Sequence, residues 1–204
     1  VVTNADNSKK LNTEIKLNGE VIMPLSREKQ AETFADCVAQ IGSKYYTTLA
    51  DAVAAAQDGD TVELLSDSAG NGIIIPSNSN LTIDFGGHTY TVDGTVGSTG
   101  TETNGFQLKK DSNITFKNGK ITSNKAAVLI QNYSNLTLEN ITLELTTTAE
   151  TIVAQEKDKS YVLSNNYGDT VIKGNTNIIA GQTDYACAFD IYGGWYPAYP
   201  SVTV

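Results

Sequence analysis

Few residues of this chain have the type and spacing to do chemistry. Asp184 and Asp190 are one pair, six positions apart (190 − 184). Two carboxyls flanking one bond are what glycoside hydrolysis needs, one as acid and the other as base or nucleophile. In a loop-rich stretch this pair reads instead as two solvated side chains. His88 is the single histidine. Within Gly86-Gly87-His88-Thr89 it occupies a tight corner, which favours a hydrogen-bonded imidazole over a general base. Cys37 and Cys187 are the only cysteines. They offer either one disulfide or two small buried thiols. Without a Cys-x-x-Cys pair or a Cys/His cluster they imply no structural zinc, and no cofactor is expected. Tyr192, Trp195, Tyr196 and Tyr199 share one Gly/Pro-containing stretch. Four rings with few charges to desolvate suit a ligand-binding platform on which sugar rings stack. Packing of the same rings over the last part of the fold is the alternative.

The elements that must position these groups are written as a repeated phrase. A short apolar strand, a turn, and a second strand opening on Asn or Asp recur at Gly72–Asp84, Gly105–Lys117, Ala127–Glu139 and, in worn form, Tyr161–Lys173. The offset from first strand to turn residue is constant: 80 − 73, 113 − 106, 135 − 128 and 169 − 162 all equal 7. A fixed offset inside units of unequal length predicts one coil repeated with insertions elsewhere, a parallel β-solenoid. Aligned on Asn80, Asn113, Asn135, Asp169 and Ser201, the inward residues become Leu81/Ile83, Ile114/Phe116, Leu136/Leu138, Thr170/Ile172 and Val202/Val204. The outward column Asp84, Lys117, Glu139, Lys173 alternates in sign, as neighbours in a parallel stack should. A third strand per coil is expected at Thr89–Val92, Lys120–Thr122, Ile141–Leu145 and Asn177–Ile179. The turn column predicts a structural ladder, Asn80, Asn113, Asn135 and Asp169, with stacked amides and left-handed backbone. Asn80, Asn113, Asn132, Asn135 and Asn140 also fit glycosylation sequons, the competing reading.

Residues 37–69 read as a strand–helix–strand cap. Thr48 is a good N-cap, Leu49, Ala50, Val53 and Ala54 recur at helical spacing, and Gly59 stops the helix. Such a cap covers the open end of a solenoid. Residues 1–36 are an N-terminal arm, an anchor or the end of a preceding domain, with a hairpin signal at Asn18-Gly19 and a short helix at Glu28–Phe34. Residues 70–204 form the solenoid. Insertions at Asp93–Asn104, Thr146–Ser160 and Ala180–Ala186 gather at one corner, where solenoids usually carry their working face. The strand pattern breaks off at Val204, which predicts further coils, a homo-oligomer or a partner over the open end.

Tyr46-Thr47-Thr48-Leu49-Ala50-Asp51-Ala52-Val53-Ala54-Ala55-Ala56 followed by Asp58-Gly59-Asp60-Thr61-Val62-Glu63-Leu64 resembles the N-terminal cap of right-handed parallel β-helix domains of the pectin-lyase-like superfamily. Leu81-Thr82-Ile83-Asp84-Phe85-Gly86-Gly87-His88-Thr89-Tyr90 is similar to their first full coil. The resemblance covers about residues 38–204 and implies an all-β, right-handed parallel β-helix with an αβ cap. It implies less about activity, because the superfamily mixes enzymes with binding and structural parts. Its lyases use a calcium-binding acidic cluster and a groove Arg or Lys. The single arginine here, Arg27, lies outside the solenoid.

Composition bounds the partners. Of 204 residues, 14 are Lys or Arg and 23 are Asp or Glu, a net charge of −9. That excess argues against nucleic acid and anionic membrane surfaces, and no apolar run reaches a membrane span. The chain opens without Met or a signal-peptide pattern, which predicts a processed form or an excised segment. These features predict a non-catalytic extracellular structural or adhesive module on a bacterial surface, contacting a glycan or a host protein through its loops. A virion protein, a head or tail fibre anchored to the particle through residues 1–36, is the second expectation. A polysaccharide lyase or hydrolase is the third.

Overall fold

The computed structural model describes residues 15–17, 20–23, 36–154, 159–181, 186–193 and 199–204, and is predominantly β. Strands β1 (Ile15–Leu17) and β2 (Glu20–Met23) pair antiparallel on either side of the Asn-Gly dipeptide. The helix expected at Glu28–Phe34 lies outside the described residues. Next come β3 (Ala39–Ile41), β4 (Lys44–Tyr46), helix α1 (Leu49–Ala55) and β5 (Thr61–Leu64). This region therefore holds one more strand than its sequence pattern announces. Gly42, at φ +58°, turns the chain so that β4 folds back on β3, and three-residue arms are too short to show a period. Thr48 Oγ1 accepts the Asp51 N–H at 3.0 Å and caps α1, which buries Leu49, Ala52 and Val53.

The chain continues through β6 (Ser68–Asn71), β7 (Ile73–Ile75), β8 (Asn80–Asp84), β9 (Thr89–Gly94), β10 (Val96–Ser98), β11 (Thr101–Leu108), β12 (Asn113–Ser123), β13 (Val128–Asn132) and β14 (Asn135–Leu145). Helix α2 (Ala149–Ala154) precedes β15 (Ser160–Asn165), β16 (Asp169–Lys173), β17 (Asn177–Ile179), β18 (Ala186–Ile191) and β19 (Ser201–Thr203). One sheet stacks β7, β11, β13, β15 and β18 in parallel. A second stacks β5, β8, β12, β14, β16 and β19 in parallel. Strands β12 and β14 bend midway and continue into a further row with β6, β9 and β17. The expected insertions are partly regular structure. Asp93–Asn104 contains β10 and the start of β11, an antiparallel pair, and Thr146–Ser160 contains α2.

In the second sheet, Asn113 faces Asn80 and Asn135, Ile114 faces Leu81 and Leu136, and Phe116 faces Ile83 and Leu138. The charged column is real: Lys117 Nζ lies 3.3 Å from Asp84 Oδ2 and Lys173 Nζ 3.1 Å from Glu139 Oε2. The column begins one strand before the repeats do, at Glu63 of β5, which faces Asp84 and breaks the alternation; Gln40 Nε2 donates to Glu63 Oε2. Val204, the residue after β19, is 96 % exposed, where an inward position is expected of it.

The first sheet differs from its expected register. Phe106 faces Ile73 and Ile130, not Val128, and Val128 faces Tyr161, not Val162, so that Ile130 stands opposite Leu163. The offset to the second strand is thus 80 − 73 = 7 and 113 − 106 = 7, but 135 − 130 = 5 and 169 − 163 = 6. The cause is local: Leu129 and Ile130 are both buried, as are Val162 and Leu163. Two adjacent core residues leave the apolar pattern unable to fix a register to one position.

One row of this sheet changes chemistry along the stack. Ile75 faces Leu108, Leu108 faces Asn132, Asn132 faces Asn165 and Asn165 faces Ile191. Asn132 and Asn165 are 0 % exposed, which also removes Asn132 as a glycosylation acceptor. Asn132 Nδ2 donates to Asn165 Oδ1 at 2.8 Å and to the Ser134 carbonyl at 2.9 Å.

Four rings fill the core near the helix end. Phe116 meets Phe85 and Phe106 edge-on at centroid distances of 5.9 and 5.2 Å, and Phe106 meets Tyr90 at 6.0 Å. The Tyr90 hydroxyl donates to the Asn71 carbonyl at 2.7 Å, and burial pushes its phenol up to about 12. An unfolded tyrosine ionises near pH 10. The folded state therefore keeps the proton longer, and Tyr90's contribution is complete below about pH 10 and lost as pH rises toward 12. Tyr90→Phe should lower stability at neutral pH by about 1 kcal/mol through the lost hydrogen bond. It should also flatten the fall in urea midpoint measured between about pH 10 and 12; an unchanged alkaline slope would assign that loss to other groups.

Candidate functional site

Strands β8, β12, β14, β16 and β19 open on Asn80, Asn113, Asn135, Asp169 and Ser201, where the chain turns from the first sheet into the second. Asn135 Nδ2 donates to Asn113 Oδ1 at 3.1 Å, the Asp169 N–H to Asn135 Oδ1 at 3.1 Å, and Ser201 Oγ to Asp169 Oδ1 at 2.5 Å. The linked members are exposed, so each bond competes with water and contributes little. None of Asn80, Asn113 or Asn135 is left-handed. Among the described residues, the left-handed ones other than glycine are Asn78 (φ +64°) and Asp111 (φ +60°), two positions earlier, and Asn118 (φ +57°) and Asn140 (φ +51°) at the bends within β12 and β14. A residue that opens a strand must already be extended, so the reversal falls before it or at the next bend.

Counting two residues back from each strand start gives Asn78, Asp111, Tyr133, Tyr167 and Tyr199. From the third corner onward the residue is tyrosine. Tyr133, Tyr167 and Tyr199, with Asp111, Ser112, Ser134, Asn135, Gly168 and Asp169, line one groove of about 270 Å³. Tyr133 and Tyr167 are half-buried, while Tyr199 is 86 % exposed. Lys110 Nζ lies 4.8 Å from the centroid of the Tyr167 ring, a cation–π contact.

The floor of this groove is tied to the core. Ser134 donates both its N–H and its Oγ to Asn132 Oδ1, at 2.9 and 2.7 Å, so the buried amide row fixes the corner between Tyr133 and Asn135. Gly168 sits beneath Asp169 at φ +81°, where a Cβ would run into the Ser134 carbonyl. The Tyr199 ring lies over Gly193, where a side chain would collide with it. Ring faces beside hydroxyls, an amide and two carboxylates make a surface suited to a polyhydroxylated ligand, with rings for its CH faces and polar edges for its OH groups.

Of the four rings expected to form a platform, Tyr199 belongs to this groove. Tyr192 follows β18, is 44 % exposed, and donates its N–H to the Asn165 carbonyl at 3.0 Å. Trp195 and Tyr196 lie outside the described residues, as does Asp184. Sequence reasoning misses Tyr133 and Tyr167, although each precedes its strand-opening residue by the two positions that separate Tyr199 from Ser201. Asp190 sits in an outer row of the first sheet with Gln107, Gln131 and Ser164, and Ser164 Oγ donates to its Oδ2 at 3.4 Å. His88 Nδ1 lies 3.6 Å from Asp67 Oδ1, and its backbone N–H donates to the Phe85 carbonyl at 2.7 Å.

Cys37 and Cys187 are separate thiols, not a disulfide. Cys187 is on β18, paired with Tyr161, whereas Cys37 precedes β3 beside the helix end. Four parallel spacings separate β7 from β18, roughly 19 Å at ~4.8 Å each, and a disulfide needs Cα atoms within about 7 Å. Burial, then the neighbouring Asp36 carboxylate, hold the Cys37 thiol above its ordinary range. Among the described residues, no three His, Cys, Asp or Glu side chains gather as metal ligands, and no helix is long and apolar enough to cross a membrane. Compared with known proteins, the chain matches no family model, and neither a curated protein nor a solved structure shows significant similarity to it.

The corner geometry makes a stability prediction. Gly168→Ala should destabilise the chain by roughly 1–3 kcal/mol, because a left-handed site and the Ser134 carbonyl both oppose the methyl. The readout is a lower urea midpoint at unchanged slope; an unaltered midpoint would mean the corner tolerates an L-residue.

Proposed function

We propose that residues 70–204 form a right-handed parallel β-helix capped by residues 37–69, and that it serves as a non-catalytic structural and adhesive module at an extracellular surface. Long parallel register supports the β-helix reading. In β12 and β14, residues on both sides of the bend stay paired, from Asn113 with Asn135 to Ser123 with Leu145. The functional reading is carried by one observation: Tyr133, Tyr167 and Tyr199 occupy the same position of three successive corners and line a single groove.

The mechanism is passive. Tyr133 and Tyr167 are half-buried and so held in place before a ligand arrives, leaving little of their side-chain entropy to be lost on binding, whereas Tyr199 is 86 % exposed. The rings take up the apolar faces of sugars, and Asn135, Asp111 and Asp169 accept or donate at the rim. A glycan is the partner this chemistry fits best, in keeping with a net charge of −9 that disfavours polyanions.

The test is a glycan array comparing the wild-type chain with Tyr167→Ala. Truncating a central ring should weaken the bound signal about tenfold, the effect of a binding hot spot, with the unfolding midpoint moved by less than about 1 kcal/mol. Equal signals from both proteins, or none from either, would remove the groove as a contact surface.

A further inference from the structure

The period and charge of the groove narrow the kind of glycan it takes. Tyr133, Tyr167 and Tyr199 leave the backbone two residues ahead of β14, β16 and β19. Those strands are parallel neighbours, Leu136 facing Thr170 and Thr170 facing Val202. Parallel neighbours stand ~4.8 Å apart, close to the advance of one residue in an extended β-linked polysaccharide. A ligand with that repeat is matched by lying along the stack, one sugar to a corner. A ligand crossing the stack meets only one ring.

Charge sets the second limit. Apart from the tyrosines, Asp111 and Asp169 are the ionisable side chains lining the groove. Ser201 Oγ takes up one Asp169 oxygen, and Lys110, the cation beside the groove, is held over the Tyr167 ring. The lining is therefore net negative, within a chain that is itself strongly acidic. A uronate or a sulfated sugar would set its own anion against these two exposed carboxylates, a repulsion that low salt leaves largely unscreened.

We propose that the corner groove binds a linear, extended polysaccharide free of carboxylate and sulfate groups, laid parallel to the stack with one sugar on each of the three tyrosines. This rests on the glycan reading above and adds to it an orientation, a minimum length and a charge class.

The test uses the full chain and size-graded oligosaccharides of one to six sugars. The neutral series are β-1,4-linked glucose, mannose and N-acetylglucosamine, and the anionic series is β-1,4-linked oligomannuronate, which shares their linkage. Titration calorimetry in low salt reads the affinity. The expected result is a neutral series whose affinity rises about threefold or more per sugar up to three sugars and then levels off. The anionic series should bind at least about tenfold more weakly, with the gap narrowed in Asp111→Asn/Asp169→Asn. Tyr167→Phe, which keeps the ring, should retain affinity, and Tyr167→Ala should lose it. Single sugars binding as tightly as trimers, or oligomannuronate binding best, would overturn this proposal. If that binding still depended on Tyr167, the broader glycan reading would survive. No binding in any series, or binding indifferent to Tyr167→Ala, would bring down both.

Discussion

The two long sheets, their core and the tyrosine groove all depend on parallel backbone pairing held in register from one strand to the next. In β8, β12 and β14 the pairing runs without a slip through Asn80, Asn113 and Asn135 and on to Asp84, Lys117 and Glu139. Parallel pairing fixes which side chains become neighbours, and identical positions then meet directly. Leu81, Ile114 and Leu136 form one apolar row and Ile83, Phe116 and Leu138 another, all buried. Charges of opposite sign meet on the other face. The tyrosines share a groove for the same reason. They are far apart in sequence and close only because the strands that follow them are paired.

The groove is accordingly a product of the core. Ser134 is held from below by Asn132, and Asn132 by Asn165, so three buried residues set the height of the corner between two of the rings. A satisfied amide network in a dry interior is stiff, because each bond would cost more to break there than in water. One group of this network is left over: Asn165 Nδ2 is buried without a partner. The exposed Asn113–Asn135 link, by contrast, is an accompaniment of the register, not its cause.

What could be read in the sequence and what could not follows the physics of each signal. The second-strand register was legible because its apolar residues strictly alternate, as in Asn113-Ile114-Thr115-Phe116-Lys117, and a one-residue slip would expose them all. The first-strand register was not, since Leu129-Ile130 and Val162-Leu163 place two buried residues side by side. The helix cap at Thr48 was legible from local chemistry, while β4 was too short to carry a period. Of the expected ladder column, Asn113, Asn135 and Asp169 are linked by hydrogen bonds, and its expected left-handed backbone falls instead on neighbouring residues. Tyr133 and Tyr167 were hidden because a tyrosine in a turn has no signature of its own. Only the strand starts, compared across repeats, single them out.

The row Ile75, Leu108, Asn132, Asn165, Ile191 has a consequence for how such a chain can evolve. Tandem segments are usually prone to deletion and shuffling, because any unit can replace another. Here the interior passes from hydrocarbon to carboxamide between Leu108 and Asn132, and a unit moved across that boundary would carry a group its new neighbours cannot satisfy. Loss of the segment containing Asn132 would set Asn165 against Leu108 and strand its amide. The segments are copies in outline but each has an address, and recombination among them is penalised by the interior itself.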